Sequence, residues 1–307
     1  TDCLMPSIGS PVRLLRGINS FLLPISLFFY GIFHFHKEDT VVAYHSLAYT
    51  GVMALCKKIK KFRMVLEVEE IYSDVCGKAA QRERECLRFQ AADAFLFPTQ
   101  LLDNLINRKK KPSIIVHGTY QAEPRLAEPP KDKIRVIYAG TLDSRKGGAL
   151  AAVSAAVFLD ERYEIHIIGF GSEKDKQGLM NYIRSVAEKS KCSVSYDGLK
   201  RGEDYLRFLQ SGQIGLSTQD PDAAFNATSF PSKILSYLAN GLNVVTIRIP
   251  AIEASAVGNM LSYYNEQTPE AVATAIRHVN LDAPYNSREK IVQPDRLFQD
   301  ELNALLS

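Results

Sequence analysis

Short apolar, β-branched runs alternate with helical patterns along nearly the whole chain, and few folds satisfy that alternation. In the second half the strand-like runs are 134–139, 164–168, 193–196, 214–217 and 244–247, with apolar residues at helical spacing through 147–159, 172–190, 203–211 and 270–279. In the first half, strand-like runs at 40–43, 63–68, 94–98 and 113–117 alternate with helical patterns at 47–60, 78–92 and 100–107. Such alternation builds parallel sheets with helices on both faces. The expected fold class is therefore α/β, with two Rossmann-like domains. The polar segment 119–133 holds three prolines and separates the two patterns. It predicts a first domain over 1–122, a linker over 123–133 and a second domain over 134–307. Ligands of such sheets bind at the carboxyl ends of the strands.

A chain of 307 residues suits two domains, and its 46% apolar and 23% charged residues are those of an ordinary globular protein. A net charge of +3 is too small to argue for a nucleic-acid partner. Cys3, Cys56, Cys76, Cys86 and Cys192 form an odd set without metal-type spacing, so they read as reduced thiols of a cytoplasmic protein, with no zinc site. Residue 1 is not a methionine, and residues 1–10 lack the strand and glycine-rich turn with which doubly wound domains normally open. The expectation is a first domain without that unit, with sequence missing ahead of Thr1. The apolar run 14–35 has no cleavage site after it and is not a signal peptide. It reads either as a buried helix feeding the strand at 40–44 or as a peripheral membrane contact helped by Arg13, Arg16 and Lys37. A true span fits it least, because Arg16, Asn19, Pro24 and Gly31 interrupt the run.

Residues 225–246 carry the most chemistry. Pro231 suits the first turn of a helix, where its missing N–H costs nothing, and Ser229 and Ser232 beside it are capping residue types. Ile234, Leu235 and Leu238 follow at helical spacing, and Gly241 stands where a left-handed residue closes a helix. A helix opening out of a small-residue loop offers free N–H groups and the positive end of its dipole, and Lys233 adds a full charge. That is a place for a diphosphate. The same pattern also describes an ordinary capped helix.

Ser229-Phe230-Pro231-Ser232-Lys233, Tyr237-Leu238-Ala239, Gly241 and Val244-Val245 resemble the donor-binding segment of GT-B glycosyltransferases, in particular family-4-like enzymes of surface-polysaccharide synthesis. Ser236 stands where many members carry a glutamate on the donor ribose, and Asn243 replaces a proline. The Glu-x7-Glu signature is absent, with Thr228 and Ser236 at its two ends. The segment from Val136 through Gly140 to Lys146 and Gly148 is similar to the family's diphosphate-gripping segment. Lys146 falls on the family lysine, while Thr141 replaces its arginine. Gly169 and Gly171 match a strand-and-turn element where backbone approaches the donor closely, and Leu199 and Lys200 match positions flanking the base. In the first half, Glu69 falls where the family carries a histidine near the acceptor. A strand-end carboxylate there can orient or deprotonate a hydroxyl, and it also reads as a surface glutamate in an acidic turn. His45, at another strand end, is the second catalytic candidate, and Asp74 and His117 are weaker ones.

The resemblance implies transfer of a hexose-type sugar, with retention and without a metal, from a nucleoside diphosphate sugar (UDP first) to a saccharide or lipid-linked acceptor. The nucleotide sugar is a substrate, so no cofactor is expected. The donor-binding set is Gly140, Lys146, Gly169, Leu199, Ser229, Phe230, Pro231, Ser232, Lys233 and Ser236. A hydrolysing 2-epimerase shares the architecture but needs more paired carboxylates and histidines than this chain shows. A non-catalytic partner subunit is the third reading, motivated by Thr141, Ser236 and the missing opening.

Overall fold

The computed structural model describes residues 13–143, 147–221, 228–283 and 285–307. Two compact units meet in sequence between Val116 and His117, and Phe298–Ser307 belong with the first.

The first unit begins with helix α1 (Arg13–His34) and continues β1 (Thr40–Tyr44), α2 (Thr50–Lys60), β2 (Arg63–Glu67), a single turn α3 (Tyr72–Val75), α4 (Ala79–Phe89), β3 (Ala94–Phe97), α5 (Gln100–Ile106) and β4 (Ser113–Ile115). Its strands pair in parallel in chain order, β1-β2-β3-β4, so every carboxyl end points the same way. Two clusters cover the sheet. Met64, Leu66, Phe95 and Phe97 pack with Met53, Phe62, Phe89 and Leu102, while Val65, Ala94, Leu96 and Ile114 pack with Leu305. Alternate residues of β2 and β3 thus serve opposite faces, as the period-two geometry of a strand demands. No helix among the described residues is long and apolar enough to cross a membrane.

The second unit runs β5 (Ile134–Thr141), α6 (Gly148–Ser154), β6 (Tyr163–Phe170), α7 (Glu173–Ala187), β7 (Ser193–Tyr196), α8 (Gly202–Gln210), β8 (Ile214–Ser217), α9 (Lys233–Ala239), β9 (Asn243–Ile247), α10 (Pro250–Glu253), β10 (Ser262–Tyr264), α11 (Pro269–Arg277), α12 (Ser287–Lys290) and α13 (Val292–Leu306). The last turns of α13 lie in the first unit. All strands are parallel, in the order β10-β9-β8-β5-β6-β7. Read from β7, this is the 3-2-1-4-5-6 order of a Rossmann sheet, with its reversal between β5 and β8. Helix α9 ends as the sequence predicts. Gly241 adopts φ +89°, and the N–H groups of Leu242 and Gly241 return to the carbonyls of Tyr237 (3.0 Å) and Leu238 (3.1 Å).

The expected boundaries at 122 and 134 are displaced. Residues 117–133 lack regular structure, as their prolines require, but they are a strap fixed to the second unit. Gln210 accepts from the Leu126 N–H at 2.7 Å and donates to the Pro124 carbonyl at 2.8 Å. Gln213 donates to the carbonyls of Pro130 and Lys133, each at 3.0 Å. The Glu123 N–H reaches Ala239 O, and Tyr120 is buried in the second core. Side-chain amides more than seventy residues downstream in sequence satisfy a backbone that cannot pair with itself.

Candidate functional site

Strands β5 and β8 pair only at Val136↔Ile214 and Ile137↔Gly215. Beyond these they part, and Tyr237 of α9 fills the gap. Its hydroxyl accepts from the Ala139 N–H at 2.7 Å and donates to the Leu216 carbonyl at 3.1 Å. The side chain is wholly buried. Burial raises the phenol well above its ordinary pKa, so the hydroxyl keeps its proton and its donor role. Tyr237 is therefore the residue that stands between the two strands where the sheet reverses.

Four segments converge at that opening: the end of β5, the start of α6, the residues after β8 and the start of α9. The Lys233 Nζ lies 4.1 Å from the centroid of the Tyr138 ring. A methyl placed on Gly140 would stand 3.0 Å from that Nζ and 3.2 Å from the Tyr138 hydroxyl. The Thr218 hydroxyl donates to the Gly148 carbonyl at 2.7 Å, tying the start of α6 to the end of β8. Gly169, in register with Gly140, has φ +146°, and a Cβ there would fall 1.7 Å from the Gly140 carbonyl oxygen. Its N–H donates to the Gly198 carbonyl, and its own carbonyl accepts from the Tyr196 hydroxyl, each at 3.0 Å. At Gly169 the backbone of β6 thus lies directly against the Gly140 carbonyl of β5, an approach that only glycine permits.

The other donor-side candidates separate. Lys146 lies outside the described residues, as do residues 222–227. Phe230 is buried against His117, ring centroids 4.9 Å apart, and anchors the chain just ahead of α9. His117 accepts the Ala256 N–H on Nε2 at 3.2 Å, which leaves its proton on Nδ1. Pro231 precedes the helix instead of starting it, with its carbonyl accepting from Ile234 at 3.0 Å. Ser232, the residue before the helix, already has helical φ −53° and ψ −26° and makes no side-chain capping bond. Ser229 is too far ahead to cap. The cap expected of Ser232 fails because the chain is already helical there, not in the extended conformation that capping needs. Ser236 faces α8, its Oγ 3.0 Å from the Tyr205 hydroxyl. Leu199 is exposed, but the Lys200 ammonium lies over Phe208, 5.4 Å from the ring centroid, instead of beside Leu199. Phe170, exposed at the end of β6, was not anticipated. Its signal was an aromatic between Gly169 and Gly171.

In the first unit Glu69 follows β2 beside Glu67 and Glu70. Burial, then repulsion from Glu67, a hydrogen bond shared with it and the nearby Glu70 push Glu69 up to about 7. A carboxyl poised there can take or give a proton near neutrality. His45 is corrected. Its ring is 2% exposed, Nε2 lies 2.7 Å from Glu85 Oε1, and Nδ1 lies 2.8 Å from Thr50 Oγ1. Burial holds its pKa below the ordinary value, against the pull of Glu85. Glu85 also accepts the N–H groups of Tyr72 and Ser73, each at 2.9 Å. The histidine fastens β1 to α3 and α4, and neither ring nitrogen is left for a substrate. Asp74 is likewise engaged, by Arg82 at 3.0 Å.

No protein-family model matches this chain. No curated protein sequence matches it either. Solved structures do. An UDP-forming α,α-trehalose-phosphate synthase from Burkholderia xenovorans aligns with TM-score 0.66 at 11% identity, over 97% of this chain and 81% of that one. A structure described as trehalose-6-phosphate from E. coli bound with UDP-2-fluoro glucose gives 0.65 at 12%, over 92% and 75%. A synthase from Burkholderia xenovorans in complex with glucose-6-phosphate gives 0.60 at 12%, over 95% and 79%. At such identity the likeness speaks for the fold, and the fold of this chain is that of the GT-B glycosyltransferases, an α/β chain with two Rossmann-like units.

Proposed function

We propose that this protein is a glycosyltransferase that binds the diphosphate of a nucleotide-sugar donor at the opening between β5 and β8. The observation that carries the reading is the placement of Lys233. Its ammonium stands at the reversal of strand order, beside bare backbone at Gly140 and the start of α6. A cation and helix-start N–H groups there offset the charge that develops on a departing nucleoside diphosphate, with the protein supplying the electrostatics. Lys146, which stands in the sequence between Gly140 and Gly148, would add a second positive charge. Leu199 and Phe170, exposed at adjacent strand ends, suit the base and ribose. In the first unit, Glu69 handles the acceptor proton.

UDP is the favoured carrier, since one structural neighbour is described with UDP-2-fluoro glucose. For the acceptor, the description of glucose-6-phosphate in another adds a phosphosugar to the saccharide and lipid-linked candidates. The family-4-like segment at 229–245 favours cell-surface polysaccharide synthesis with retention. Free thiols at Cys56, Cys76, Cys86 and Cys192 suit the reducing cytoplasm.

The test is stabilisation by UDP, GDP, ADP, CMP and NAD in a thermal-shift panel, followed by turnover of UDP-glucose with glucose 6-phosphate and with oligosaccharides. Selective stabilisation by one nucleoside diphosphate and release of that nucleotide during transfer would establish the reading. Binding without turnover on any acceptor would favour a non-catalytic subunit, a role consistent with Ser236 being turned to Tyr205. No stabilisation by any of the five would exclude the site.

A further inference from the structure

Helix α1 is apolar on two opposite faces. Leu27, Phe28 and Gly31 face inward, and Gly31 lets α1 lie against Cys56 of α2. Leu22, Ile25, Phe29 and Phe33 share the outer face and are 44%, 40%, 52% and 72% exposed. On α2, Leu55 and Ile59 are also exposed, with Lys58 between them on the same face. A contiguous stripe of large apolar side chains belongs against another apolar surface, and on α1 only the inner one is covered by protein among the described residues. It is not apolar enough to span a membrane.

Against α2, and reached by Lys37 just after α1, lies an open pocket of about 770 Å3 whose lining includes Lys57, Lys58, Lys61 and Arg63. The acid in its wall, Asp93, is taken up by Lys57 at 2.6 Å and by the Met64 N–H at 2.8 Å. Asp39 turns back to the His36 N–H at 2.7 Å, and neighbouring Glu38 is the other acid of this region. Residues 50–63 contain no Asp or Glu. The Arg63 Nη1 is shielded from solvent and has no hydrogen-bond partner among the described residues.

We propose that this face docks on an anionic lipid bilayer. Helix α1 lies in the headgroup layer with Leu22, Ile25, Phe29 and Phe33 at the acyl boundary, and the lysine-rich pocket receives a lipid phosphate. The apolar stripe supplies insertion, and the cations select the sign of the surface. A second copy of this chain fits poorly, because pairing the face with itself sets lysines against lysines. The proposal is independent of the transfer reaction.

The test is co-sedimentation of the 307-residue protein with vesicles of phosphatidylcholine alone and of phosphatidylcholine mixed with phosphatidylglycerol. Binding to the anionic vesicles should be stronger by about tenfold and should weaken as salt is raised. Two double variants, Phe29→Ser with Phe33→Ser and Lys58→Glu with Lys61→Glu, change exposed side chains, and each should lose most of that binding at unchanged Tm. Equal binding of the wild type to both vesicle types, or to neither, overturns the proposal whatever the variants do. So does a wild-type dimer in light scattering that the two serine substitutions dissociate, which would give the face to a second copy.

Discussion

The Lys233 ammonium sits 4.1 Å from the centre of the Tyr138 ring, on the strand that opens the second sheet. The contact holds a flexible cation over the place where β5 and β8 part, using the negative face of the ring. A lysine so positioned loses less freedom when an anion arrives than one waving in solvent. Replacing Lys233 with Ala should weaken UDP binding by tenfold or more, about 1.4 kcal/mol per decade, by calorimetry. Tyr138→Leu should weaken it less, because the charge stays and only its placement is lost. Equal affinity in wild type and Lys233→Ala would remove the lysine from the site.

Gly169 and Gly140 face each other across β5 and β6 but differ in tolerance. A methyl on Gly140 meets the tip of a lysine side chain, which can move. One on Gly169 meets a carbonyl oxygen at 1.7 Å and carries φ +146° besides. Gly169→Ala should cost roughly 3 kcal/mol or more in urea denaturation. Gly140→Ala should unfold near wild type yet bind nucleotide more weakly.

Tyr237→Phe deletes one oxygen from the gap between β5 and β8, leaving the Ala139 N–H and the Leu216 carbonyl unpaired and buried. The expected loss is about 1–3 kcal/mol in chemical denaturation, with the nucleotide site loosened as well. A variant as stable as wild type would mean that the strands close over the vacancy.

Glu69 and His45 should tilt stability with pH in opposite directions. With its pKa lifted from 4.5 to about 7, Glu69 binds protons in the folded chain that the unfolded chain has released. Its contribution therefore falls as pH rises between those values. Glu69→Gln should raise Tm at pH 8 and leave it unchanged near pH 4. If Glu69 handles the acceptor proton, the same variant should also remove a limb near pH 7 from the kcat/KM profile. His45 is held below 6.5, so it is the unfolded chain that takes up protons first as pH falls. Stability is lost below that pH, and His45→Gln should flatten the loss. Melting curves across the pH range measure both slopes.

The order of strands and helices was legible because burial imposes its own periods. The short strand-like runs at 214–217 and 244–247, the second wholly β-branched, became β8 and β9 with little shift. Gly241 closed α9 as expected, since the left-handed geometry there is set locally. What eluded the sequence depends on partners remote along the chain. Proline and polar residues mark 119–133 as irregular, but only Gln210 and Gln213 decide that it is strapped down. His45 stands at a strand end as a base would, and only the arrival of Glu85 from α4 makes it structural.

The sequence by itself determined the α/β class, the alternation of elements, the glycine positions and the cation at the start of α9, because each follows from local geometry or short-range periodicity. The tertiary structure decided where the sheet reverses, which tyrosine wedges it open, and that Phe230 is an anchor. It also decided that α1 is left with an outer face of Leu22, Ile25, Phe29 and Phe33. Those outcomes turn on which surfaces meet, and a chain read one residue after another does not contain the distances between them.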